Sequence, residues 1–452
     1  MKLAVAVQRY GADINGGAEL HARYIAERLA RHAEVEVLTT CARDYVTWRN
    51  ELPPGLDQVN GVSVRRFPVT RERDPREFGR RSRRVFDETH SIGDELSWLE
   101  SEGPTAPAMI DHLERAGSGF DFILFFSYRY YHAWHGARRL ASRAVLVPTA
   151  ERDAAIGLAI FGSVFRNVRG IMYNSPEERA MIQAATHNEH VPGVVVGVGS
   201  AVPARSDPAR FRRRHRIDRP FAIYIGRIDA NKGCAELFEY FQRYAMTFPR
   251  GLDLVLIGNP IIPIPSHHRI HHLGYVSDED KFDGLAAADL LIMPSYFESL
   301  SMVALEAWAL GRPVLANGRC DVLKGQCVRS NAGLYYESYA EFAETLYSLE
   351  SNGPLHARLG RNGRDYLARH YAWPVIEKKY LDMFAQLRQR PASTTSDPLP
   401  GWVARRRRDL PPATQVLAAI PSGVADNGQD GLMVSEAGFA RARAASDGGR
   451  TS

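Results

Sequence analysis

Residues 294–316 read PSYFESLSMVALEAWALGRPVLA, and this stretch decides the fold. An apolar strand, Leu290–Met293, leads into Pro294, and a helical run, Met302–Leu310, follows a short loop. Gly311 stops the helix and Pro313–Leu315 begins another strand. Two carboxylates stand eight positions apart, Glu298 in the loop and Glu306 one turn inside the helix. Ser299 or Ser301 suits the helix cap. The backbone N–H groups of Leu300, Ser301 and Met302 would then point at an anion, with the helix dipole behind them. Glu306 is placed to accept two hydrogen bonds from a vicinal diol, and Glu298 to meet the hydroxyls of a second sugar.

Upstream, GRIDANKG (226–233) follows the strand Phe221–Ile225 and precedes the helix Ala235–Tyr244. Gly226 lets backbone approach a ligand. Arg227 offers a fork of donors and Lys232 a compact charge, both suited to phosphate oxygens. Acids for sugar hydroxyls and cations for a diphosphate fit one ligand, an activated sugar.

Outward from this stretch the alternation continues in both directions. Leu252–Ile257 adds a strand to the second half and Asp280–Ala288 a helix. In the first half, Leu3–Val7, Val35–Leu38, Val62–Phe67, Phe120–Phe126 and Ala144–Val147 read as buried strands. Asn15-Gly16-Gly17 opens a helix carrying Leu20, Tyr24, Ile25 and Leu29 at helical spacing, and the Arg/Glu-rich stretch from Arg71 to Gly119 predicts helices decorating this half. Strands separated by helices imply parallel sheets covered on both faces. The prolines and small residues of 201–208 mark a linker. The expected architecture is α/β, with two doubly wound Rossmann-like domains facing a cleft, residues 1–202 and 203–372. Residues 373–390 form a helix that packs back on the first domain, and the Pro-, Ser- and Arg-rich 391–452 is a largely disordered tail.

A chain of 452 residues with 45% apolar and 24% charged side chains suits two globular domains. The net charge of +5 is concentrated in Arg65–Arg84, Arg210–Arg216 and Arg405–Arg408. Such clusters attract phosphates or anionic lipid. A nucleic-acid reader is disfavoured, because no aromatic–basic interleaving and no helix-turn-helix or finger spacing accompanies them. The four cysteines lack C-x-x-C spacing and read as reduced thiols. No apolar run approaches the roughly 20 residues that span a bilayer, and no signal peptide opens the chain, so a cytoplasmic location is expected. The run His267–His272 lacks a recognised metal-ligand spacing. Asp278–Asp280 opens a helix, where acids suit the dipole. Neither is read as a metal site.

The run ESLSMVALEAWALGRPVLA resembles the E-x₇-E segment of the retaining GT-B glycosyltransferases of family 4, the group 1 glycosyltransferases. GRIDANKG, the strand Leu254–Gly258, HLGYVSD (272–278) and AAADLLIMPS (286–295) resemble that family too, in the family's order. The likeness covers nearly all of 221–316; Gly16-Gly17-Ala18-Glu19 extends it weakly into the first half. It implies the GT-B fold, a nucleotide-sugar donor held mainly by the second domain, and an acceptor, a glycan or lipid-linked glycan, held mainly by the first. It also implies retention of anomeric configuration and no obligatory metal or other cofactor. By position, Arg227 and Lys232 hold the diphosphate, Glu306 the ribose and Glu298 the donor sugar. The backbone at Tyr275-Val276 meets the nucleobase, and Gly16 and Gly17 approach the diphosphate or acceptor.

The departures are Ser299 and Ser301 in place of glycines and Val303 in place of proline. In the first domain a histidine is usual after the strand matching Phe120–Phe126 or the one matching Val145–Val147; here Ser127 and Glu151 lie nearby. His132, in an aromatic loop, Glu151 and Asp153 are therefore the candidates for acceptor or sugar contacts. The expected role is cell-surface polysaccharide biosynthesis, with the arginines of 65–84 allowing peripheral contact with the anionic inner face of a membrane. The competing functions are a GT-B nucleotide-sugar epimerase or phosphorylase, a GT-B protein that only binds glycan, and a non-catalytic basic protein bound to membrane or nucleic acid.

Overall fold

The computed structural model describes residues 1–392 apart from Asn15, and residues 413–420. The first half contains β1 (Lys2–Ala6), α1 (Gly17–Leu29), β2 (Glu34–Thr40), β3 (Gly55–Val59) and β4 (Val62–Phe67). Three helices follow, α2 (Pro75–Phe86), α3 (Ile92–Glu102) and α4 (Pro107–Ala116). The alternation resumes with β5 (Phe122–Phe126), α5 (Tyr131–Arg139), β6 (Ala144–Val147), α6 (Ala159–Asn167), β7 (Gly170–Tyr173), α7 (Pro176–Thr186) and β8 (Gly193–Val195). These strands form one sheet in the order β3-β4-β2-β1-β5-β6-β7-β8. Every pairing is parallel except β3 with β4. The antiparallel edge departs from the all-parallel expectation. Strand β3 (GLDQV) is exposed at all but Val59, so it carries no apolar run to betray it.

The second half runs α8 (Pro208–His215), β9 (Phe221–Ile225), α9 (Cys234–Thr247), β10 (Asp253–Ile257), β11 (Ile270–His272), α10 (Asp278–Ala287) and β12 (Leu290–Met293). It continues through α11 (Met302–Ala309), β13 (Val314–Asn317), α12 (Asp321–Ser330), β14 (Gly333–Tyr336), α13 (Tyr339–Ser351) and α14 (Gly353–His370). Its sheet is parallel throughout, in the order β11-β10-β9-β12-β13-β14. Strands β5, β9 and β10 are buried along their whole length, as sheets covered by helices on both faces require.

Helix α15 (Trp373–Arg388) lies against the first sheet. Phe384 stacks on Phe122 with ring centroids 5.1 Å apart, and Glu377 pairs with His32 at 2.9 Å. Both sheets and α15 belong to one compact unit; a second unit contains the short helix Ala413–Ala418. Residues 393–412 and 421–452 lie outside the described residues. So do the cluster Arg405–Arg408 and most of the segment expected to be disordered.

The order of each sheet reverses at one point, between β1 and β5 and between β9 and β12. In such sheets the crevice beyond the strand ends at the reversal is where ligands bind. The two motifs that define the second half, 226–233 and 294–301, leave β9 and β12 and meet at that crevice.

Candidate functional site

Gly233 brings the two loops together. Its φ is +70°, and a Cβ there would collide with the carbonyl of Pro294, so only glycine lets the turn after β9 close against the loop after β12. Lys232 Nζ then reaches Glu298 Oε1 at 2.8 Å. Asp229 organises the turn: Oδ1 accepts the Lys232 amide at 2.8 Å, while Oδ2 pairs with Arg227. Arg227 keeps half its side chain exposed beside this pair.

Residues from the first domain complete the wall. Asn174, just after β7, donates to Ser299 Oγ at 3.3 Å, and Arg152 pairs with Asp321 at 2.8 Å. Glu151 is half-buried, within electrostatic reach of Lys232 and Glu298. Burial, with the like charges of Glu298 and Asp153, pushes its pKa up to about 7 against the opposing pull of Lys232. Burial likewise opposes the charge on Lys232, but Glu298 and Glu151 outweigh it and hold that pKa above the usual lysine value.

Glu178, on α7, sits behind this wall and is buried. Its two oxygens accept the amides of Ala150 at 2.6 Å and Asn174 at 2.5 Å, tying the loops that carry Glu151 and Asn174. Burial raises its pKa to about 8. Ser175-x-x-Glu178 is a capping-box pattern, so the helix start was legible. Ser175 does cap α7, but Glu178 turns to the two loops instead of back to Ser175. Ser127 and Thr149, at the ends of β5 and β6, both hold positive φ (62° and 48°) and share a 2.8 Å hydroxyl hydrogen bond. For non-glycine residues such backbone costs on the order of 1–3 kcal/mol each.

Glu306 is 2% exposed on α11. Lys281, on α10, donates to its Oε1 at 3.0 Å, while Oε2 is buried without a partner among the described residues. Burial raises the Glu306 pKa and Lys281 lowers it, with a net upward shift. The loop carrying exposed Tyr275 and half-buried Val276 leads directly into α10. Ser301, not Ser299, caps α11 by accepting the Ala304 amide at 3.2 Å. The Ser301 N–H was expected to be open to an anion; instead it donates to Gln326 Oε1 at 3.1 Å. Gln326, from the next helix, cannot be placed by sequence spacing. The amides of Leu300 and Met302 have no hydrogen-bond partner among the described residues.

On the first domain, Gly16 is the N-cap of α1 and Gly17 lies exposed beside it. A Cβ on Gly16 would strike the Glu19 carboxylate, which pairs with Arg9 at 2.7 Å. A Cβ on Gly17 would meet nothing, so that edge is open. Tyr45, 40% exposed, carries the Arg9 guanidinium 5.4 Å from its ring centroid and acts electrostatically on Arg227. Tyr45 and Lys281 were both missed, since neither belongs to a motif.

One expectation, that of a loop His132, needs correction, and Asp153 carries contacts within the protein. His132 is not in a loop but in the first turn of α5, completely buried, with Nε2 3.0 Å from the Phe126 carbonyl. Burial lowers its pKa to about 4, and it offers nothing to a solvent-filled cleft. The apolar neighbours that made the stretch look like an aromatic loop are core residues of the helix. Asp153 is committed within the protein. Its Oδ2 pairs with Arg129 at 2.6 Å, and its Oδ1 accepts the Ala155 amide at 3.1 Å. Arg129 in turn pairs with buried Glu102 at 2.9 Å, so Asp153 anchors an ion network.

The histidine run disperses: His271 faces Asp253 and His272 the Gly258 carbonyl, each at 2.9 Å. Asp278, Glu279 and Asp280 occupy the first turn of α10, which Ser277 caps.

Residues 206–366 match the family described as Glycosyl transferases group 1. This part of the chain is similar to the group 1 glycosyltransferases, and it is set in the GT-B architecture of two facing Rossmann-like domains. The chain is 25% identical over 201 residues to a D-inositol 3-phosphate glycosyltransferase of Corynebacterium efficiens, covering 40% of this chain and 47% of that protein. It is 28% identical over 235 residues to the lipopolysaccharide core biosynthesis glycosyltransferase LpsE of Rhizobium meliloti, covering 49% and 66%. The match thus spans between about half and two thirds of these relatives. Anabaena Alr3699/HepE, solved in complex with UDP-glucose, superposes with a TM-score of 0.62 at 18% identity, over 85% of this chain and all of that one.

Proposed function

We propose that this protein moves a sugar from a nucleoside diphosphate sugar to a glycan or lipid-linked glycan, with retention of configuration and without a metal ion. One observation carries the reading. Lys232 and Arg227 stand at the crevice beside Glu298, and on the adjoining helix Glu306 presents a buried oxygen with no partner among the described residues. That set matches a diphosphate flanked by two hydroxyl-rich groups. As the bond to the leaving diphosphate stretches, negative charge grows where Arg227, Lys232 and the Leu300 and Met302 amides lie, and groups already oriented there stabilise it. The leaving phosphate takes the acceptor's proton. Glu298 holds the donor sugar, Glu306 the ribose, and Glu151 reaches the sugar hydroxyls from the facing wall. The Alr3699/HepE complex makes UDP-glucose the first donor to try, and LpsE supports a cell-surface glycan as acceptor.

Membrane contact falls to α2. Most arginines of 65–84 are spoken for: Arg65 pairs with Glu36, Arg66 with Asp57, Arg71 and Arg81 with Glu77, Arg73 with Glu102 and Arg84 with Glu88. Arg76, Arg80 and Arg83 share one exposed helix face and have no ion-pair partner among the described residues. We assign that face to an anionic membrane surface, with the protein at its cytoplasmic side. No helix among the described residues is long and apolar enough to cross a membrane.

Thermal unfolding with UDP, GDP and ADP, followed by NMR of the transferred sugar's anomeric centre, tests the assignment. A bound nucleotide raises the unfolding temperature. No stabilisation by any of the three, an inverted product, or activity abolished by EDTA would each refute the part it addresses.

A further inference from the structure

We propose that Lys281 is a positioning residue that makes the nucleotide pocket selective for an intact ribose diol. The inference rests on the nucleotide-sugar reading above. Its ammonium fixes one oxygen of Glu306 at 3.0 Å and leaves the other, buried and without a partner among the described residues, to receive the hydroxyls. Buried polar atoms in folded proteins are nearly always satisfied, so an orphaned carboxylate oxygen at a crevice indicates a ligand that supplies the donor.

Position supports this. Lys281 lies one turn into α10, and α10 directly follows the Tyr275-Val276 loop, so a single segment would touch both base and ribose. The charged and titratable groups facing Glu306 are few. Lys281 and Asp278 come from α10, and the Glu306 charge is felt by the Tyr24 hydroxyl of α1 across the cleft. Asp278 is largely exposed, 3.7 Å from Lys281, and adds negative charge. Lys281 is therefore the only cation in that set. Burial, helped by the charge of Asp278, drives Glu306 toward its neutral form, and Lys281 opposes it. A protonated, unpinned Glu306 turns one of its oxygens into an O–H donor, which needs an acceptor, so it loses the charged, acceptor-only carboxylate that best receives a pair of hydroxyls.

The test is calorimetric titration of the full chain with UDP and 2′-deoxy-UDP, repeated with GDP and 2′-deoxy-GDP. Wild type is expected to prefer the ribose form about tenfold or more, because hydrogen bonds to a charged group are the strong ones. In Lys281→Met the preference should shrink at acidic pH and recover as pH rises and Glu306 ionises; Lys281→Arg should keep it throughout. Lys281→Gln supplies the same test should the methionine variant not fold. A variant that weakens both forms equally, or keeps the wild-type preference at every pH, overturns this role alone. Absence of binding to either nucleotide pair by wild type overturns the nucleotide reading and this inference with it.

Discussion

Lys232 and Glu298 belong to loops 66 residues apart in sequence, yet Nζ lies 2.8 Å from Oε1. The ion pair links the turn after β9 to the loop after β12 at the sheet's point of reversal. Neither charge is fully solvated, with 27% and 13% of the side chains exposed, so each depends on the other for its position.

Removing either cation should therefore act on the chemical step. Arg227→Ala or Lys232→Ala is expected to lower kcat by about 10²–10³, the cost usual for losing one preorganised charge at a developing anion. Steady-state kinetics with saturating donor would show it. Unchanged kcat in both variants would end the electrostatic account.

Glu151 should leave its mark on the pH profile. With its pKa at about 7, the carboxylate we propose for the sugar hydroxyls forms only as pH rises through neutrality. Activity should climb through that region in wild type, and the inflection should disappear in Glu151→Gln. The same inflection in the variant would clear Glu151 of the role.

Glu178 should be visible in stability. Its folded pKa, about 8, lies above that of an unfolded glutamate. The native state thus holds a proton that the unfolded state releases, and stability is greatest at low pH and lost as pH rises toward 8. Urea denaturation should report a decline of about 1–3 kcal/mol between acid and mildly basic pH. In Glu178→Gln, which stays neutral, that part of the decline should be absent, so the wild type should lose stability relative to the variant as pH rises. Parallel curves would count against it.

Gly233→Ala should damage both fold and site. The substitution meets a positive φ and the Pro294 carbonyl together, a cost of about 2–4 kcal/mol, and it forces the two loops apart. Nucleotide binding should fall more than for an alanine placed at exposed Gly17, where a Cβ meets nothing.

Reversing charge at Arg76, Arg80 and Arg83 should reduce sedimentation with vesicles containing anionic lipid while leaving soluble-acceptor activity intact. Equal sedimentation of wild type with neutral vesicles would contradict the assignment of that face.

Much of this was legible in one dimension, because local chemistry carries it. Fully buried strands such as FILFF (122–126) and FAIYI (221–225) must be apolar along their length, and a positive-φ glycine at 233 leaves a recognisable turn. The loop-borne Arg227, Lys232 and Glu298 stand inside such punctuated segments, so their pattern could be read without coordinates. Strand β3, exposed and antiparallel, has no such signature.

Whatever depends on side chains meeting across distant segments was decided only by packing. Gln326 takes the Ser301 amide from 25 residues away, Glu178 clasps Ala150 and Asn174, and Lys281 reaches Glu306 from another helix. His132 shows the converse: an aromatic neighbourhood that reads as a loop is a buried helix face, because burial is a property of what covers a residue. Periodicity and turn chemistry act between near neighbours along the chain and so survive in sequence. Charge pairing and desolvation act through space and exist only once the two sheets have been brought face to face.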